Sequence, residues 1–289
     1  MAVAATTETG ARPGRAWRRL KAPAWVGTVP FLGYVGVFLL LPTGIVLYKA
    51  FVNGSGAFDL SGLRALGSPA VRGYFIGSFK LSVISSLAGA VLGAILAYAV
   101  ASGNPDGVVR RLYLAASGVL AQFGGVTLAF AFLATLGPTS GLLLHAGWFY
   151  DFPQGIALIY VYFQIPLMVL VFMPAIDGLK VQWREASESL GASAWQYWRY
   201  VGGPLLAPAF LGATLLLFAN ALSAFATIQA WENQIAYTVP QQISTALSSE
   251  VGLSNASEAS VLALGMVIMV VILMLGYVLL QRRASRWLR

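Results

Sequence analysis

The amino-acid sequence predicts an all-α membrane protein of six transmembrane helices, on three observations. Hydrophobic residues make up 58% of the 289 positions and charged residues 10%, against about 45 to 50% and about 25% in soluble domains. Six apolar stretches are each long enough to cross a hydrocarbon core of about 30 Å, which takes about 20 residues of helix. The bases gather at the ends of these stretches, so a net charge of +8 reflects membrane orientation and not a nucleic-acid groove.

Residues 1–22 form a basic tail, with Arg12, Arg15, Arg18, Arg19 and Lys21. No apolar centre precedes those bases, so the tail is expected to be disordered and not a cleaved signal peptide. Residues 23–289 form one six-span domain. The spans are expected over Trp25 to Tyr48, Ser78 to Ala101, Leu112 to Leu136, Gly155 to Ile176, Leu205 to Ile228 and Ala259 to Gln281. Pro30, Pro42, Pro166, Pro174 and Pro208 fall inside them, which membrane helices tolerate because neighbours re-satisfy the freed backbone groups. In span two, Gly89 with Gly93 and Ala90 with Ala94 are small residues one turn apart, a helix-packing pattern.

An even number of crossings puts both termini on one side. That side carries the two tails, with Arg282, Arg283, Arg286 and Arg289 at the far end, Arg110 and Arg111 in the second loop, and Lys180, Arg184 and Arg199 in the fourth. The opposite loops hold Lys49, Arg64 and Arg72. Both termini are therefore expected to be cytoplasmic. Two outer loops are more than turns. After Gly137-Pro138-Thr139-Ser140-Gly141, Leu142 to Phe149 is apolar but too short to cross, so a re-entrant or interfacial helix is expected. Trp231 to Glu258 reads as a polar outward loop whose Tyr237, Pro240, Gln241 and Gln242 could touch a docked partner.

The fourth loop, residues 177–204, is the most informative. Trp183, Ala186, Leu190, Ala194, Tyr197 and Val201 recur at three and four residues, a one-sided apolar stripe of helical period lying across the membrane surface. Gly191 interrupts it, and Ser193 with Gln196 is a capping box that starts a second helix. A helix pair with an apolar face and a glycine hinge, joined to span five through Pro204, is shaped to fit a groove on another protein. Without a more specific motif, resting on lipid headgroups is the commoner use of such a segment.

A motif is present. Glu185-Ala186-Ser187, Gly191 after three residues, and Val201-Gly202-Gly203-Pro204 after nine more resemble the cytoplasmic loop of permease subunits of type I ABC importers. That pattern is Glu-Ala-Ala, three residues, Gly, nine residues, Ile-x-Leu-Pro. The spacing matches throughout; Ser187 replaces an Ala, Val201 an Ile and Gly203 a Leu. The resemblance implies a cytoplasmic coupling helix between spans four and five that docks into a cleft of an ATPase subunit. On that reading Glu185 anchors the loop by a charge-assisted contact, Ala186 and Ser187 allow close approach, Gly191 makes the turn and Pro204 leads into span five. Otherwise Glu185 is a solvated side chain, and Arg184 with Glu188 an ordinary i, i+4 pair.

The resemblance further implies two ATPase subunits, which hold the ATP and Mg, and a second permease subunit expected to be a different chain. It implies an extracytoplasmic solute-binding protein and residence in a bacterial inner membrane. Glu185 to Ala192, with Tyr162 to Pro166 and Trp195 to Tyr200, is more similar to the polyamine, ferric iron, thiamine or phosphonate branch than to sugar permeases. It points to a small polar or cationic solute such as a polyamine, with counter-charges from Glu232, Glu250 and Glu258 or from the partner permease.

Polar side chains inside spans tend to face the bundle or an aqueous path. Gln122 and Thr127 in span three, Tyr160 and Gln164 in span four, and Asn220, Ser223 and Thr227 in span five are the candidates. The last three share one helical face, and with Gln164 and Gln122 they are the expected solute path, although any one of them alone reads first as a hydrogen bond between helices. Lys80 near the outer end of span two can snorkel, and no Asp or Glu falls at a span centre to serve a proton relay. His145 is the only histidine, without a metal or triad partner nearby, and there is no Cys for a thiolate site. The Gly-rich phosphate loop is missing too, so no cofactor and no ATP hydrolysis are expected on this chain. A six-span lipid-modifying enzyme would need paired acids or a Ser-His set at one depth, and a stand-alone channel a selectivity filter; the sequence offers neither.

Overall fold

The computed structural model describes residues 28–52, 57–58, 64, 66–104, 106–137, 147–231, 237–248 and 253–285. The basic tail, His145, Glu232, Glu250, Arg286 and Arg289 lie outside them. The chain divides into two compact units, Met1–Ile45 and Val46–Arg289. The first contains most of α1 (Val29–Lys49), the first span. Pro30 sits in its first turn, where a missing N–H breaks no helical bond. A π-helical turn over Gly36–Leu40 widens the backbone just ahead of Pro42, which has no donor to give.

The second unit begins its helices with span two, α2 (Pro69–Ala101), capped by Ser68, whose Oγ accepts from Val71 N. Its 33 residues make it about 50 Å long, so it starts well before Ser78. Span three is broken. The expected continuous stretch Leu112 to Leu136 is two helices, α3 (Val108–Gln122) and α4 (Val126–Leu136), bent by 95°. Gly125 makes the bend at φ 74°, ψ −146°, a region open to glycine and essentially closed to other residues.

Span four, α5 (Gln154–Asp177), is the pillar of the unit, with 61% of its apolar window buried. It packs along α2, where a Cβ on Gly89 would lie 2.7 Å from the Gln164 Cβ and one on Gly93 2.5 Å from the Met168 Cβ. The small residues of span two therefore do what their spacing suggests and let α5 approach closely. One apolar cluster, with Leu81, Ile159 and Phe163, and another, with Ala97, Met168, Phe172 and Leu217, fill the two halves of this packing.

The short helix α6 (Val181–Ser189) follows, then α7 (Ala194–Ser223), α8 (Phe225–Trp231), α9 (Val239–Ser248) and α10 (Leu253–Ser285). Two expectations need correction. Span five does not run unbroken to Ile228, because α7 ends at Ser223 and Ala224 is extended at ψ 90°. The Tyr160 hydroxyl donates to the carbonyl freed there, Ala224 O. The outer segment after Trp231 is also more than a polar loop. Val239, Ile243 and Ala246 recur at helical spacing, and α9 buries Val239 and Ala246 while Val239 N donates to Ser78 Oγ at 2.9 Å. Gln241 is buried, and its Oε1 accepts from Tyr237 N and Thr238 Oγ1, which makes it an internal cap and not a docking group. The apolar stretch Leu142 to Phe149 lies mostly outside the described residues. Its end falls in a 3-10 turn, Gly147–Tyr150, whose Phe149 O accepts from Trp231 Nε1.

Candidate functional site

The fourth loop folds as helix, turn, helix. α6 ends in a Schellman motif: Gly191 N donates to Glu188 O at 2.9 Å and Ala192 N to Ser187 O at 3.0 Å. Gly191 carries the left-handed turn at φ 78°, with open space where a side chain would stand. Its glycine is thus required by the backbone and not by packing within this chain. The capping box forms as expected: Gln196 N donates to Ser193 Oγ at 3.3 Å and Ser193 N to Gln196 Oε1 at 2.7 Å.

The second helix does not stop at Val201. It passes through a π-helical turn, Trp198–Gly202, directly into span five. A Cβ on Gly203 would collide with Trp198 O, so the glycine that departs from the importer pattern is the residue this turn demands. Pro204 follows the turn and is exposed. Trp198 in turn meets Tyr98 of α2 edge to face, 5.1 Å between centroids.

The faces of α6 divide its residues. Glu185, Ala186 and Leu190 are exposed, Leu190 to 88%. Ser187 is buried and its hydroxyl donates to Arg184 O at 2.7 Å. The two acids separate cleanly. Glu188 is held by Arg184, Nε to Oε1 2.9 Å, and this bond and then the carboxylate's charge raise the Arg184 pKa further above its usual value. Glu185 has no ion pair among the described residues. The apolar stripe is split likewise: Trp183, Ala186, Leu190 and Ala194 are exposed, whereas Tyr197 is buried.

The expected path residues also divide. Asn220, Ser223 and Thr227 do not share one helical face, because the break at Ala224 intervenes. Thr227 is 2% exposed, and its Oγ1 accepts from Gly125 N at 3.0 Å. That bond joins the break in span three to the break in span five. It brings the neighbourhood of Gln122, which is exposed, to that of half-buried Asn220 and exposed Ser223. Ser223 Oγ donates to Asn220 O at 3.1 Å. Gln164 lies elsewhere, fully buried in the α2–α5 seam with Nε2 donating to Ser85 Oγ at 3.1 Å. Thr127 is exposed and Tyr160 buried.

Sequence reasoning missed one contact that links loop and spans. Asp177, the last residue of α5, accepts from Arg110 Nη2 in the first turn of α3 at 2.5 Å, with the arginine side chain 14% exposed. Both residues stand at loop edges in the sequence, and nothing in their local spacing announces the pair.

Comparisons with known proteins agree with this architecture. Residues 89–289 match the family model described as binding-protein-dependent transport system inner membrane component. The sulfate transport system permease protein CysT of Escherichia coli (strain K12) is 34% identical over 74 residues, 26% of this chain and 27% of that protein. The match thus spans about a quarter of each chain. The trehalose transport system permease protein SugB of Mycobacterium tuberculosis is 25% identical over 215 residues, 72% of each. Among solved structures, a bacterial ABC transporter involved in the import of the acidic polysaccharide alginate superposes with a TM-score of 0.71 at 18% identity, covering 90% of this chain and 94% of that one. The fold is that of an importer permease, and the chain belongs to the family of binding-protein-dependent transport system inner membrane components.

Proposed function

We propose that the chain is the permease subunit of an ATP-driven importer, forming half of a solute path and coupling closure of the ATPases to alternating access. The observation that carries this is the loop of residues 177–204: an exposed helix presents Glu185, which has no ion pair among the described residues, and an exposed Leu190, and ends in a Gly191 turn with open space around it. An unpaired carboxylate beside bare apolar side chains suits a protein groove better than headgroups of like charge. The partners on this reading are two ATPase subunits holding ATP and Mg, a second permease, and an extracytoplasmic binding protein. The site is a bacterial inner membrane with both termini inside.

The path is the junction of the two span breaks, lined by Gln122, Asn220 and Ser223. The solute is a small polar molecule. The flanking runs Tyr162 to Pro166 and Trp195 to Tyr200 favour a polyamine, while the relatives named above serve sulfate, trehalose and alginate systems. Among the described residues, Asp and Glu lie in the loops or at the ends of spans and none at a span centre, so a polyamine would find its counter-charges there on the second permease.

The test is purification of the tagged chain in mild detergent, wild type beside Glu185→Ala and Gly191→Asp. Recovery of an ATPase with wild type and its loss from both variants is the expected result. Retention by the variants refutes the docking role. Thermal-shift screening of the co-encoded binding protein against spermidine, sulfate and trehalose then decides the solute.

A further inference from the structure

We infer that α3 is a strut carrying displacement of the coupling loop to the break in span five, with Arg110 as the positioning residue at its cytoplasmic end. The inference rests on the coupling role proposed for the loop. Asp177 closes α5, and α6 begins at Val181, so whatever moves α6 moves Asp177 at its root. Asp177 is bonded to Arg110 in the first turn of α3. The arginine side chain is 14% exposed and the aspartate 43%, so this charge-assisted bond is open to water on one side and stronger than a neutral one.

α3 itself is a 15-residue helix, about 22 Å long and stiff along its axis. Its far end leads through Phe123 and Gly124 to Gly125, whose N–H is bonded to Thr227 beyond the break in span five. The rod is therefore hydrogen-bonded near both ends: at one to the root of the ATPase-facing loop, at the other to the junction that holds Asn220 and Ser223. α3 packs along α5, and the Arg110–Asp177 bond ties it to the last residue of α5, so the two helices shift as one packed pair against their neighbours. Coupling between distant sites needs a contiguous physical element of this kind that both sites bias.

The chain contains no cysteine, which gives a test independent of the solute. A Ser223→Cys reporter is placed in the full complex with its ATPases, reconstituted in nanodiscs. Its reaction rate with a polar maleimide is followed by intact mass, with and without ATP and vanadate. The expected result is a nucleotide-dependent change of about fivefold or more, the low end for coupled sites. That change should disappear with Arg110→Gln or Thr227→Val, while the complex melts as wild type. The charge exchange Arg110→Asp with Asp177→Arg should restore it. A nucleotide response that survives Arg110→Gln overturns the strut. So does a response lost only in step with the melting temperature, or one that the exchange fails to restore although that variant folds. The control is Gly191→Asp: if it leaves the reporter's response intact, the coupling reading itself falls; if it abolishes the response and Arg110→Gln does not, the strut alone falls.

Discussion

The coupling loop and the α2–α5 seam use the same kinds of residue, small ones and uncharged polar ones, to opposite ends. In the middle of the loop, residues 181–196, the devices that shape the chain are local: Gly191 bonds back to Glu188, Ser193 and Gln196 satisfy each other, and Arg184 takes Glu188 one turn away. Its outer face is left bare. In the seam the contacts that count are long-range. Gly89 and Gly93 matter because the Cβ atoms of Gln164 and Met168 stand against them, from a helix more than seventy residues later in the chain. Between its ties to the spans at Asp177 and Trp198, the helix-turn-helix of residues 181–196 keeps its turn and caps by bonds of its own. Damage to one should spare the other.

The strongest way to break that separation is Gly93→Leu. A side chain there must displace the α5 backbone region around Ile165 and Met168, at a cost of about 3 kcal/mol or more. Loss of the monodisperse peak in detergent chromatography is expected; a normal peak would mean the seam is looser than its distances. Next comes Gly191→Val, which places a β-branched residue in the left-handed region at about 1 to 2 kcal/mol. Here the melting of the spans should be unchanged while ATPase co-purification drops; a parallel fall in melting temperature would show that the two regions are not independent.

Ser193→Ala removes a cap worth about 1 kcal/mol, so a smaller drop in ATPase recovery is expected, again without a change in melting. The least effect is expected from Gln164→Leu. It removes one bond to Ser85 and an Oε1 that has no partner among the described residues, and hydrogen bonds between membrane helices average under about 1 kcal/mol. Near-normal melting and uptake would keep Gln164 in the seam. Lost uptake with normal melting would return it to the solute path.

The same contrast explains what could be read from the sequence. The loop's capping box, its glycine turn and the Arg184–Glu188 pair are short-range, and all three are visible in neighbouring letters. The spans are visible as well, since length and apolarity suffice. The breaks are less so. Gly124-Gly125 is a signal for the bend in span three, but Ala224 carries none for the break in span five, which depends on Tyr160 taking up the freed carbonyl. α9 hid behind its polar residues although Val239, Ile243 and Ala246 hold a helical period. Spacing alone does not decide which polar residues form a path, because a linear pattern does not say whether a polar face meets water or, as Gln164 does in this structure, Ser85. The Arg110–Asp177 pair, 67 residues apart, had no local trace at all.

Gln164 also settles an ambiguity that glycine alone leaves open. Gly89 and Gly93 stand one turn apart along α2 with the small Ala97 a turn further on, and glycine spacing alone would admit α5 slipped by one turn. The slip would carry the Gln164 amide away from Ser85 and leave it in an apolar setting, where an unpaired amide is expensive. The glycines set how near α5 comes, and one buried amide sets where it stops.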